Sequence, residues 1–410
     1  MLLYIDPGTG SMLFTILIGV IGAGIYSIKM LWIKFRFVIS GGKIETSEKE
    51  IPFVIFSDDK RYWNIFEPIC REMNKRGKDI VYYTASADDP ALKNNYEHVK
   101  AEFIGKDNKA YTKLNFLNAK ILLSTTPGLE VYQWKRSKNV RYYIHILHAA
   151  SEVTMYRMFG IDYYDAILLS GEYQKTDIRD LEKLRNLPKK ELEKVGIPYM
   201  DEMVKRLEKC PPLKEHPKTV LLAPTWGPSG IFSVYGEKIL EALIKTGYQI
   251  IVRPHPQSFS SEKELLEGLM DKYPNSERLE WNRDNDNFEV LRRSDILISD
   301  FSGVIFDFAL VYDKPIIYTN PNFDLSVYDA WWLDRPLWTL SALPRLGKEL
   351  TQESLCNIKE LINECLEDPQ YKEGRRNVKQ ETWECFGKGA EKTVDYILKK
   401  YDELIKIERD

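Results

Sequence analysis

Cysteine and histidine are scarce, five of each in 410 residues. Cys70, Cys210, Cys356, Cys365 and Cys385 form no CxxC pair and leave an odd count. That excludes a disulfide framework and fits reduced thiols in a reducing compartment. The histidines are scattered, with no HxxxH or HExxH pair, so no metal-binding cluster is expected. A large charge of either sign is also missing. The net charge of -3 argues against a general nucleic-acid binder, which would carry a basic surface. Short-period repeats and low-complexity tracts are absent as well.

Charge is missing in one place for a different reason. From Pro7 to Ile28 no charged residue occurs, and SMLFTILIGVIGAGIYSI is long and apolar enough to cross a bilayer. A cleavable signal peptide would carry its basic residues before the run and small residues after it. Here Asp6 precedes the run, and Lys29, Lys34, Arg36 and Lys43 follow it. The expectation is a single-pass anchor in the cell membrane, with residues from about Lys34 onward on the cytoplasmic side. A buried core helix is the alternative.

What is present is alternation. IPFVIF, DIVYYTA, KILLSTT, VRYYIHIL and DAILLS read as buried strands, with amphipathic helices such as RYWNIFEPICREMNKRG between some of them. After CPPLKEHPK, whose Pro211, Pro212 and Pro217 mark a linker, the pattern restarts. TVLLAPTW, YQIIVRPHP, RLEW, DILISDFSG and KPIIYT then alternate with helices such as EKILEALIKTG. The fold class is α/β, with two doubly wound, Rossmann-like domains facing each other. The expected organisation is an anchor and juxtamembrane segment over 1–48, a first domain over 49–210, a second over 211–385 and a terminal helix over 386–410.

Three segments of the second half, APTWGPSG, RPHPQS and SDFSG, each end an apolar strand in an abrupt polar turn. In open α/β sheets, ligands bind outside the carboxyl ends of the strands, so the three turns share one edge. Ser302 and Gly303 stand where Val304 to Val311 should begin a helix, whose first N–H groups suit a phosphate or an ordinary cap. Prolines on both sides of His255 stiffen the backbone that would present its ring, and Arg253 could add a bidentate phosphate grip. Asp300 beside a phosphate would be repelled, and so could instead orient a neighbouring group. In YYIHILHAASE, His145 falls inside the apolar run and reads as core. His148 sits where the strand stops, either as a turn residue or as a general base facing the crevice.

These segments resemble the CDP-glycerol:glycerophosphate glycerophosphotransferases, enzymes of teichoic-acid primer and polymer synthesis. The resemblance rests on APTW, RPHP, SDFSGVIFDFA, DKPIIY and FGKGAEKTVDYI in that order, and is good from about residue 140 onward. It implies two Rossmann-like domains of the GT-B type, no cofactor, and a CDP-glycerol or related nucleotide donor held by the second domain. The implied donor set is His255, Asp300, Ser302 and Gly303, with His148 as the base, and Arg253 and Thr225 are expected as further donor contacts. An acceptor hydroxyl, on a lipid-linked or polymer acceptor at the membrane, would attack the glycerol-bearing phosphate and release CMP. Three departures stand out. HAASEV replaces a WHGTP-like motif, Gly303 replaces a common serine, and AWWLDRPLW lacks the usual arginine–glycine–aromatic turn. The same crevice would suit CDP-ribitol or a nucleotide sugar, and a tethered binding protein without chemistry would share the fold.

Overall fold

The computed structural model describes Gly24, residues 50–284, 286–320 and 324–408. Apart from Gly24, the expected membrane-spanning run lies outside the described residues. Among the described residues, no helix is long and apolar enough to cross a membrane.

Two wholly parallel sheets organise the molecule. The first comprises β1 (Ile51–Ser57), β2 (Ile80–Thr84), β3 (Val99–Phe103), β4 (Ala119–Ser124), β5 (Val140–Ile146), β6 (Ala166–Leu169) and β7 (Glu191–Lys194), in the order β3-β2-β1-β4-β5-β6-β7. The second comprises β8 (Thr219–Ala223), β9 (Gln249–Val252), β10 (Leu279–Trp281), β11 (Ile296–Ser299), β12 (Ile316–Tyr318) and β13 (Gly347–Glu349), in the order β10-β9-β8-β11-β12-β13. Each order reverses direction once, between β1 and β4 and between β8 and β11. Those are the switch points outside which an α/β sheet opens a crevice.

The central strands are apolar throughout because both faces are covered. In β1, Phe53 and Ile55 enter one core while Val54 and Phe56 enter the other. In β8, Leu221 and Ala223 lie on one side, and Val220 and Leu222 on the other. Side chains that alternate across a strand buried on both faces demand such uninterrupted runs. Three strands escaped the sequence reading: β3 (VKAEF), β7 (ELEK) and β13 (GKE). All three are edge strands. An edge strand is half exposed and carries charge that discourages further pairing, so no apolar run betrays it. The single helix expected over Val304 to Val311 is also divided, into a turn of α-helix (Val304–Phe306) followed by a π turn (Asp307–Val311).

The chain crosses between the sheets at two places. The helix Pro198–Glu208 contributes Ile197 and Met200, at and just before its start, to the core of the second sheet. The helix Gly389–Ile407 returns to the first sheet, where Val394 and Ile397 pack beside Phe53 and Ile55. Buried Asp201 ties the two crossings together. Its carboxylate accepts from the Trp383 indole at 3.0 Å and from the Gly387 and Gly389 N–H groups, both at 2.8 Å. Asp201→Ala strands all three donors in a dry site, and each such loss costs about 1–3 kcal/mol. Urea denaturation should therefore register a large loss, and an unchanged midpoint would show that the crossing is held by packing alone.

Candidate active site

The carboxyl ends of the central strands deliver the candidate residues to the seam between the sheets. Arg61 and Tyr62 follow β1, Thr125 follows β4 and His148 follows β5. Thr225, His255 and Ser302 follow β8, β9 and β11. A cavity of about 460 Å³ is lined by both His148 and His255, together with Arg61, Tyr199 and Asp307. A neighbouring cavity of about 470 Å³ is lined by His148, Ser302, Gly303 and Val304, and again by Tyr199 and Asp307. His148 thus borders both spaces. His255 and Ser302 border one each, on either side of a wall that includes Asp307.

The two imidazoles differ in what they meet. The Gln257 N–H donates to His255 Nδ1 at 3.1 Å, so the neutral ring must carry its proton on Nε2. His255 is therefore a hydrogen-bond donor without being charged. Burial, and after it the Arg61 charge, hold the ring below the usual histidine range.

At His148, Nδ1 lies 3.0 Å from Thr125 Oγ1 and 3.4 Å from Tyr156 Oη. Either hydroxyl can accept from Nδ1–H, a tautomer that leaves the Nε2 lone pair free. Tyr62 packs its ring against the imidazole at 5.2 Å between centroids. Burial pushes the His148 pKa down to about 4, with Arg61 adding to the effect. The ring is neutral at pH 7, as a base must be before it accepts a proton. His145 is core, as its place in the strand implied. It is fully enclosed, pairs through Nε2 with Tyr156 Oη at 3.1 Å, and is driven down to about 3 by burial.

Ser302, Gly303 and Val304 form the turn leaving β11. Their backbone N–H groups have no protein acceptor among the described residues, and the three residues line the second cavity. A Cβ placed on Gly303 would lie 3.5 Å from that of Ala149, so this turn abuts the one carrying His148. Two of the departures from the family pattern thus meet at one contact. Glu152 of the same HAASEV segment caps the helix Trp338–Leu346, accepting from the Trp338 N–H at 2.6 Å and the Thr339 N–H at 3.2 Å.

Other expected donor residues are placed elsewhere. Asp300 is fully buried and accepts from the N–H groups of Thr225 (2.8 Å), Phe301 (2.9 Å) and Ile231 (3.3 Å). It braces the turn after β8, and the backbone of Thr225 is committed to it. Burial raises the Asp300 pKa to about 6 despite these bonds. Arg253 does not reach the histidine cavity. Its guanidinium donates to Asn282 Oδ1 and, at 2.8 Å, to the Asp284 carbonyl, beside a separate cavity of about 600 Å³. Those bonds use two of its five N–H groups and hold it at that cavity, away from the two histidines. The orienting role weighed for Asp300 is therefore the one its contacts support.

Sequence reasoning missed Tyr199 and Arg61 and left open whether Asp307, within the expected helix, faces the crevice. The Tyr199 hydroxyl donates to Asp307 Oδ1, and burial raises the Asp307 pKa to about 6, with the bonds from Tyr199 and Asn287 acting the other way. Only the break into a π turn aims Asp307 at the wall, and no periodicity announces it.

Two parallel sheets of this order, with strand-end turns meeting across a seam, define a two-lobed Rossmann-like α/β protein. The chain belongs to the CDP-glycerol:poly(glycerophosphate) glycerophosphotransferase family, which it matches over residues 43–399. It is 32% identical over 146 residues to the teichoic acid glycerol-phosphate primase of Bacillus spizizenii. That match spans 33% of this chain and 34% of the primase, about a third of the relative's length. Among solved structures, it is similar to the wall teichoic acid polymerase TagF studied with CDPG, at TM-score 0.55 and 19% identity, over 86% of this chain and 89% of that one. The UDP-GlcNAc 2-epimerase of Neisseria meningitidis is similar at TM-score 0.52 and 14% identity, over 86% and 100%. Likeness at such identities establishes the fold alone.

Because its folded pKa is raised, Asp307 stabilises the protein fully below the ordinary carboxylate range, and this contribution is lost as pH rises through about 6. Asp307→Asn cannot ionise. Relative to wild type it should gain stability on the order of 2 kcal/mol between about pH 4.5 and pH 8 in urea denaturation. A difference independent of pH would mean that Asp307 is ionised throughout.

Proposed function

We propose that the protein transfers glycerol phosphate from CDP-glycerol to an acceptor hydroxyl, releasing CMP. Family membership supports the donor class. The observation that carries the reaction is the single cavity bordered by two imidazoles, His148, held neutral by burial beside the Thr125 hydroxyl, and His255, fixed as an N–H donor.

In this reading His148 Nε2 takes the proton of the acceptor hydroxyl. The acceptor oxygen bonds to the glycerol-bearing phosphorus, the bridging P–O bond breaks, and its electron pair leaves with CMP. His255 Nε2–H donates to a phosphate oxygen, and the Ser302 to Val304 amides receive charge in the adjoining space. Little covalent work falls to the protein, so rate comes from positioning and from donors fixed before the reaction. The acceptor is a lipid-linked or polymer hydroxyl at the cell membrane. The uncharged run from Pro7 to Ile28, with basic residues after it, supports tethering on the cytoplasmic side.

CMP release from CDP-glycerol, measured with membrane lipid fractions as acceptor source, tests the proposal. His255→Ala should lower turnover about 100-fold, the usual cost of one fixed donor. His148→Ala should lower it by about 10²–10⁴-fold while donor protection against thermal unfolding persists. Normal turnover in both variants would refute the assignment, and release from CDP-ribitol alone would move the proposal to that donor.

A further inference from the structure

The transfer proposed above gathers negative charge on the phosphate, and a cation must meet it. Two guanidiniums, Arg61 and Arg206, border the histidine cavity, and Arg253 borders the larger one beside it. Arg253 is engaged by Asn282 and Asp284. Arg206 is paired with Asp286 and covers the Phe288 ring at 3.9 Å. Arg61 remains. It borders both the histidine cavity and the larger cavity of about 600 Å³ beside Arg253.

We propose that Arg61 is a catalytic residue that grips the non-bridging oxygens of the transferred phosphate from the first lobe, opposite His255. This assignment rests on the transfer reading above. The turn after β1 is built for the purpose. Asp59 caps it, accepting from the Arg61 N–H and from Arg61 Nε, both at 2.9 Å. One carboxylate thus fixes the backbone and the inner edge of the guanidinium. The terminal nitrogens have no protein acceptor among the described residues, and they form the edge that binds phosphate in a fork. The next residue, Tyr62, lies against His148, so the same turn sets the spacing between cation and base. After burial, the Arg61 charge is the next cause holding both His148 and His255 low, which places it within electrostatic reach of the two rings.

The acids bordering the histidine cavity do not compete for it. Glu67 is held by Arg71 and Tyr96, Glu202 by Arg71 and Lys205, Asp286 by Arg206 and Asp307 by Tyr199. A cation from one lobe and a neutral N–H donor from the other would make phosphate binding depend on both halves of the chain.

The test is CMP release from CDP-glycerol by full-length wild type, R61A and R61K, with and without added guanidinium ion. The expected result is a loss of about 100-fold in turnover for R61A, partial recovery with guanidinium, and an intermediate rate for R61K. If R61A does not fold, R61Q removes the charge while keeping a planar end, and the same loss is expected. A folded R61A or R61Q within about twofold of wild type overturns the role of Arg61 alone. A wild type that releases no CMP overturns the transfer reading, and this one with it.

Discussion

Burial of side chains at the seam between the two sheets governs the chemistry of the groups inside it. One cause moves acids and bases in opposite directions, because a poorly solvated site favours whichever form is uncharged. Asp300 and Asp307 are raised to about 6, and His148 is lowered to about 4. The consequence at neutral pH is a pair of uncharged imidazoles beside a fixed guanidinium. Neutrality is what a base needs. The donor role of His255 survives it because a backbone N–H, rather than a proton from solvent, dictates which ring nitrogen is protonated.

That seam exists because the chain binds its two halves repeatedly. Asp201 gathers the helix crossings at one end. At the other, the segment AWWLDRPLW lies against the first half. Asp329, immediately before it, is fully buried against Arg185, which also meets Asp162 at 2.7 Å. Arg335 reaches Asp177 at 2.8 Å and Asp180 at 2.7 Å. A buried charge network of this kind is weak evidence for net stability, and removing one member is costly. Its value lies in registering one lobe on the other. The segment that departs from the family's arginine–glycine–aromatic turn thus carries lobe-to-lobe contacts, as does Glu152 within HAASEV.

Much of the architecture was legible before the structure. Strands buried on both faces must be apolar at successive positions, so IPFVIF and TVLLA declared themselves. Edge strands answer to a different rule, and VKAEF, ELEK and GKE could not be found by the same signal. Site residues divide along similar lines. His148 and His255 end apolar strands, and strand ends in parallel sheets converge. Arg61 begins what reads as an ordinary amphipathic helix, RYWNIFEPICREMNKRG, and Asp307 sits inside an apolar stretch.

The sequence by itself determined the two alternating α/β halves, the edge on which their turns collect and the two histidines delivered there, because period and proline placement act over a few residues. Tertiary structure alone decided which partners those turns would meet. Arg253 was drawn to the end of β10, Asp300 was closed over by the turn after β8, and Arg61 arrived from nearly two hundred residues away in the chain. Hydrogen bonds and charges act through space, and only folding sets those distances.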